Sequence, residues 1–128
     1  MYIIICLDDN NGLAFNHRRQ SQDRIVAEDI RKTVGEKKLW ITDYSRKLFQ
    51  AVSNLEISEN PKEEAKEGEY VFQELETLDT GDERIEQFII YRWNRVYPAD
   101  VSVEIGAEWK LTETEEFSGF SHEKITKE

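Results

Sequence analysis

The sequence predicts an α/β domain, a mixed sheet of about six strands with two helices, and three observations carry that expectation. Tyr2–Leu7, "YIIICL", is an unbroken apolar run stopped by turn residues, the pattern of a strand covered on both faces. A segment with helical spacing follows it, and further strand-like runs then alternate with a second short helix. The C-terminal half holds only strand-like runs separated by turns, which suits antiparallel pairing at the end of an otherwise parallel sheet. At 128 residues the chain has the length of one domain, residues 1–128.

Taken in order, the first strand runs into "DDNNG", where Asn tolerates left-handed backbone angles and Gly12 adopts them freely. A helix should start near Ser21 or Asp23, either of which can cap its first amides. Ile25, Val26, Ile30 and Val34 give that helix an apolar stripe, and Gly35 ends it. Residues 37–44, "KKLWITDY", read as a second strand, and 45–52 as a short helix. Residues 53–68 are polar, acidic and marked by Pro61, so they read as a long surface connection. Residues 69–75 form a third strand. Residues 87–97, "QFIIYRWNRVY", are dense in aromatic and β-branched side chains and give the strongest strand signal. Residues 100–105 alternate at period two, 108–119 begin the same way, and the tail "FSHEKITKE" can pair as a last strand.

Charge is unevenly placed. Residues 1–50 hold nine Lys and Arg against seven Asp and Glu, whereas residues 51–128 hold eight against twenty. A net charge of −10 disfavours nucleic acid and anionic membranes at long range. No apolar run approaches the ~20 residues of a membrane-spanning helix, and the N-terminus lacks signal-peptide features, so the expected location is the cytoplasm. A single cysteine, Cys6, excludes an internal disulfide and reads as a small buried side chain.

The layout resembles the dihydrofolate reductase family in reduced form along most of the chain. "IIICLDDNNGLAF" matches that family's first strand and active-site loop, and Asp23 its acidic residue near the start of the following helix. "KKLWITDYSRKLF" matches the next strand and short helix. "IIYRWNRVYPADVSVEIGAEWKLTETEEF" follows the family's closing order, with Asp100 and Trp109 at corresponding places. The resemblance implies that fold, and a pterin or nucleotide reductase with Asp23 as proton relay. Departures weaken the chemistry: Asp43 stands where cofactor phosphates are received, and the Gly-Gly pair beside the nicotinamide is missing. The reading therefore assigns no cofactor. The chain also resembles small bacterial proteins of this length, with a similar "HEKITKE" tail, that carry the label ribonuclease Z. That label implies RNA processing by a two-zinc hydrolase, yet His17 and His122 are the only histidines and neither has metal-ligand spacing around it.

One basic cluster stands out. Asn16, His17, Arg18, Arg19 and Arg24 follow the first strand, where an α/β sheet binds ligands, and Arg offers two-pronged recognition of phosphate or carboxylate. Tyr91, Trp93, Arg95 and Tyr97 share one face of the expected 87–97 strand, and Arg92 lies on the other. The site expected for a small anionic ligand or a protein partner thus comprises Asn16, His17, Arg18, Arg19, Arg24, Arg92, Trp93 and Arg95, with Arg18 and Arg19 near the start of the helix. Asp23 could relay a proton only if an apolar cleft raises its pKa; otherwise it is a helix cap. Ser21, Ser118 and Ser121 lie near no nucleophile elbow, so nucleophilic catalysis has no visible apparatus. The expected function is a small ligand-binding or protein-interaction module without catalysis, with a reductase and an RNA-processing protein as alternatives.

Overall fold

β1 (Tyr2–Leu7) lies at the middle of the larger sheet because six consecutive apolar residues have to be covered on both faces. The structure, a computed structural model, describes all 128 residues. β1 pairs in parallel with β6 (Tyr70–Phe72) on one side and β7 (Gln87–Arg92) on the other. The sheet continues outward through β4 (Leu39–Ile41) to β5 (Leu55–Ile57), both parallel. On the opposite side β10 (Ile125–Lys127) and β9 (Glu115–Phe117) close it in antiparallel fashion. The order is β5-β4-β6-β1-β7-β10-β9. The α/β class and the mixed sheet are as the sequence predicts, with one more strand than expected.

Alternation along β1 and β7 divides the core in two. Ile4, Ile89, Tyr91 and Trp93 point to the face covered by α1 (Arg24–Val34) and a 3-10 helix (Asp43–Phe49), and they pack with Val26, Ile30, Val34 and Phe49. Ile3, Ile5, Leu7, Phe88 and Ile90 point to the other face, which is covered largely by loops carrying Leu78, Ile85, Val103 and Trp109. Asp23 caps α1, its side chain accepting a hydrogen bond from the Ile25 amide, and the helix ends at Gly35. Ile25 departs from the expected stripe and is exposed. No helix is long and apolar enough to cross a membrane.

Five further departures have physical reasons. Residues 12–19 are not a passive loop: β2 (Gly12–Phe15) and β3 (Arg18–Arg19) form a hairpin through Asn16 and His17, whose φ angles are 52° and 59°. Two consecutive left-handed residues are the mark of a tight hairpin turn, and Asn is its best non-glycine occupant. Residues 53–68 hold the edge strand β5 and the short helix α2 (Pro61–Glu64), which Pro61 opens. The strand expected over 87–97 stops at Arg92, because Asn94 turns left-handed with φ 59°. Arg95 and Tyr97 therefore leave the strand. Residues 100–105 supply only β8 (Val101–Ser102), which joins β2 and β3 in a separate small sheet. Most of 108–119 is extended loop, with β9 confined to its end.

Candidate functional site

The carboxyl end of β1, the N-terminus of α1 and the 3-10 helix bound a narrow cleft. Val26, Ala27, Ile30, Leu48, Phe49, Phe72 and Trp93 make its apolar wall, and Arg19, Gln20, Ser21, Gln73 and Glu74 make its polar rim. Its volume is about 30 Å³, room for a water or two. A wider groove of about 800 Å³ runs beside β7 and β10 under residues 109–115, but no buried polar cluster faces it.

The serine at the rim of the narrow cleft belongs to such a cluster. Ser21 Oγ lies 3.0 Å from His122 Nε2. His122 Nδ1 lies 2.9 Å from Asp23 Oδ2. The histidine is 4% exposed, and its ring stacks on Trp93 with centroids 4.7 Å apart. Tyr97 presents its hydroxyl to the same Nε2 atom at 3.1 Å. Three chain segments meet here: residues 21–23 before α1, the turn after β7, and the 119–122 turn ahead of β10.

Asp23 ties the first of these segments to the third, and His122 ties both to the turn after β7. The Asp23 carboxylate accepts hydrogen bonds from the backbone amides of Ile25, Phe120, Ser121 and His122, and from the Ser121 hydroxyl. Burial alone would raise its pKa, but the Phe120 amide, the His122 side chain and the Ser121 and Ile25 amides hold the carboxyl well below the usual range. An ionised carboxylate only accepts, so His122 Nδ1 donates to it and the Nε2 lone pair turns toward the two hydroxyls. The raised pKa that a proton relay at Asp23 requires is therefore absent, and its cap role is what the structure displays. Ser21, His122 and Asp23, which no spacing in the sequence groups together, stand in hydrogen-bonded series. Only tertiary packing joins His122 to residues so distant in sequence.

Of the eight residues expected to form a ligand site, Arg19 and Trp93 line the cleft. Arg19 is neutralised there by Glu74, at 2.7 and 3.1 Å, and stacks over Tyr44. Ser45 donates to the same carboxylate. The β2–β3 hairpin carries Asn16, His17 and Arg18 outward, all exposed, with the Asn16 amide held by Asp100. Arg24 is exposed and lies over the Phe120 ring at 3.9 Å. Arg92 is spent on Glu128 and Asn11, and Arg95 is exposed beyond the end of β7. The expectation that a short loop would hold Arg18 and Arg19 together at the helix start misses the hairpin, which separates their roles.

No group of three or more His, Cys, Asp or Glu side chains is arranged to hold a metal ion. Cys6 also lines the cleft, but burial, with help from the Glu74 charge, pushes its thiol pKa up and away from the reactive thiolate. Compared with known proteins, the chain matches no family model and no curated protein.

Proposed function

We propose that this protein is a binding domain for a small neutral molecule of which only a group of about two or three heavy atoms enters the cleft between β1, α1 and the 3-10 helix, the remainder lying across the polar rim. The observation that carries this reading is the cleft's composition: an apolar wall with a few convergent polar groups. It lies at the carboxyl end of parallel strands, where open α/β sheets take their ligands. Neutrality follows from the rim, because the one arginine there is already paired with a carboxylate. An exposed basic patch for an anionic partner would have to use Arg18, Arg24 and Arg95, which sit on three different segments and line no common cleft with it.

The dihydrofolate reductase-like reading of the fold is supported by the parallel sheet with an antiparallel C-terminal strand, and by an acid at the start of the helix beside the cleft. Reductase chemistry gains no such support, since Asp23 has its oxygens committed and its proton lost. The test is an amide-resolved NMR titration with nicotinamide, a pterin and nucleobases. Saturable shifts at Ser21, Ala27 and Ile30, abolished by Ala27→Phe, are expected. Absence of cleft shifts with every member of that set, or shifts unaffected by Ala27→Phe, would contradict the proposal.

A further inference from the structure

We infer that Ser21 is the nucleophile of an acyl-transfer activity on small neutral esters, with His122 as its base and Asp23 orienting that base. The inference rests on the cleft being the ligand site, because Ser21 borders it while His122 lies behind. Three geometric facts carry it. Ser21 Oγ is 3.0 Å from Nε2, within reach for proton transfer. Nδ1 is 2.9 Å from a carboxylate that is itself fixed by backbone amides, so the ring is held in one orientation. The Trp93 ring, stacked on the imidazole, keeps it from swinging out of line. These are the roles by which a Ser-His-Asp arrangement is recognised on unrelated folds, whatever the order in sequence.

The step balances without any oxidant or reductant. Ser21 Oγ bonds to the acyl carbon while its proton passes to His122 Nε2. The ester C–O bond then breaks, and that proton leaves with the alkoxide as an alcohol. Water attacks the acyl-serine next, giving its proton to Nε2, and Ser21 recovers it as the acid departs. Tyr97 fits the charge that develops in between. Its hydroxyl shares Nε2 with Ser21, and once that nitrogen carries a proton the phenol is released to donate to the neighbouring oxyanion. The small cleft and its apolar wall select a short acyl group, and the neutralised Arg19 offers nothing to a carboxylate.

The experiment treats the full chain with a fluorophosphonate probe, locates the adduct by peptide mass spectrometry, and follows p-nitrophenyl acetate hydrolysis in parallel. One adduct per chain is expected, on Ser21. Ser21→Ala should remove the adduct and lower hydrolysis at least about a hundredfold, the usual scale of a positioned base and nucleophile. Its thermal midpoint should stay unchanged, since the Ser21 hydroxyl bonds only His122. Tyr97→Phe should keep the adduct and slow turnover. His17→Gln, which removes the exposed histidine, should change neither. An adduct elsewhere, no adduct, or hydrolysis that survives Ser21→Ala overturns the inference. If ligands still shift the cleft amides in that case, the binding proposal stands and the acyl-transfer inference alone falls. If Ala27→Phe leaves labelling of Ser21 at the wild-type rate, the cleft is not the substrate's site and both fall.

Discussion

Asp8 and Asp23 stand at opposite ends of the segment joining β1 to α1, and both are buried carboxylates wrapped in hydrogen-bond donors. Asp8 accepts from the amides of Asn10, Gly12 and Tyr97 and from the Gln20 side chain. Asp23 accepts from four amides, one hydroxyl and one imidazole. Each is also approached by a glycine. A Cβ at Gly12 would lie 2.9 Å from Asp8 Oδ2, and one at Gly119 would lie 2.6 Å from Asp23 Oδ2. The two sites use one structural device, an ionised side chain that gathers loop amides. They differ in kind at one partner, since the Asp8 side chain has no titratable group on it and Asp23 has His122. Tying loops together needs only a carboxylate and amides. Adding an imidazole that faces a hydroxyl at a cleft gives the same device a route to chemistry.

Deleting either carboxylate should separate the two most clearly. Asp23→Ala strands the donors of the 119–122 turn and removes the cap of α1, so a loss of about 3–4 kcal/mol is expected by urea unfolding. Asp8→Ala strands fewer donors, the Asn10, Gly12 and Tyr97 amides and the Gln20 side chain, and about 2 kcal/mol is expected. Equal losses would mean that the histidine cluster adds nothing to the ordinary loop clamp.

The glycines that approach the two carboxylates come next in expected effect. Gly119→Ala forces a methyl group against Asp23 and the His122 carbonyl, and Gly12→Ala forces one against Asp8, Ala99 and Gln20. Each should cost about 1–3 kcal/mol, in the range of overpacked sites. Only Gly119→Ala should also alter reactivity at Ser21.

Acid should expose both carboxylates. Their folded pKa values lie below the ordinary one, Asp8 through the Gly12, Tyr97 and Asn10 amides acting against burial, and Asp23 through its own donors. A depressed value contributes stability that is complete above the unfolded pKa, about 3.9, and is lost as pH falls toward the folded one. Thermal midpoints measured from neutral pH downward should therefore fall below about pH 4, and Asp23→Asn should flatten more of that fall than Asp8→Asn.

The smallest effects belong to the arginines. Arg18, exposed on β3, should tolerate Ala within about 0.5 kcal/mol, the range of a surface change. Arg19→Ala removes the partner of Glu74 and should cost about 1–2 kcal/mol. Chemical denaturation of the two single variants separates an outward hairpin charge from a rim ion pair.

How much of this was legible in the sequence follows from the range of each interaction. β1, the α1 cap at Asp23 and the end at Gly35 rest on contacts within a few residues, and the apolar run or the cap spells them out. The β2–β3 hairpin had a local signal too, since Asn16 precedes His17 between short apolar and basic pairs, but that signal lacks the glycine usual in such turns. β5 was hidden because an edge strand of three residues needs little apolar pattern. The premature end of β7 turned on one left-handed asparagine within an otherwise continuous β-forming run. The cluster lay furthest from view. Ser21 and Asp23 flank the helix start, whereas His122 reaches them only once β10 has paired beside β7, so no spacing in the sequence connects them.

Asp23 fixes His122 so that its other ring nitrogen faces Ser21, and ring-nitrogen NMR reads that arrangement directly. In protein labelled with nitrogen-15 at histidine and held at mildly alkaline pH, His122 should show a protonated Nδ1 and an unprotonated Nε2, and Asp23→Asn should abolish that preference. An Nε2–H form in the wild type, or a preference that survives Asp23→Asn, would contradict it.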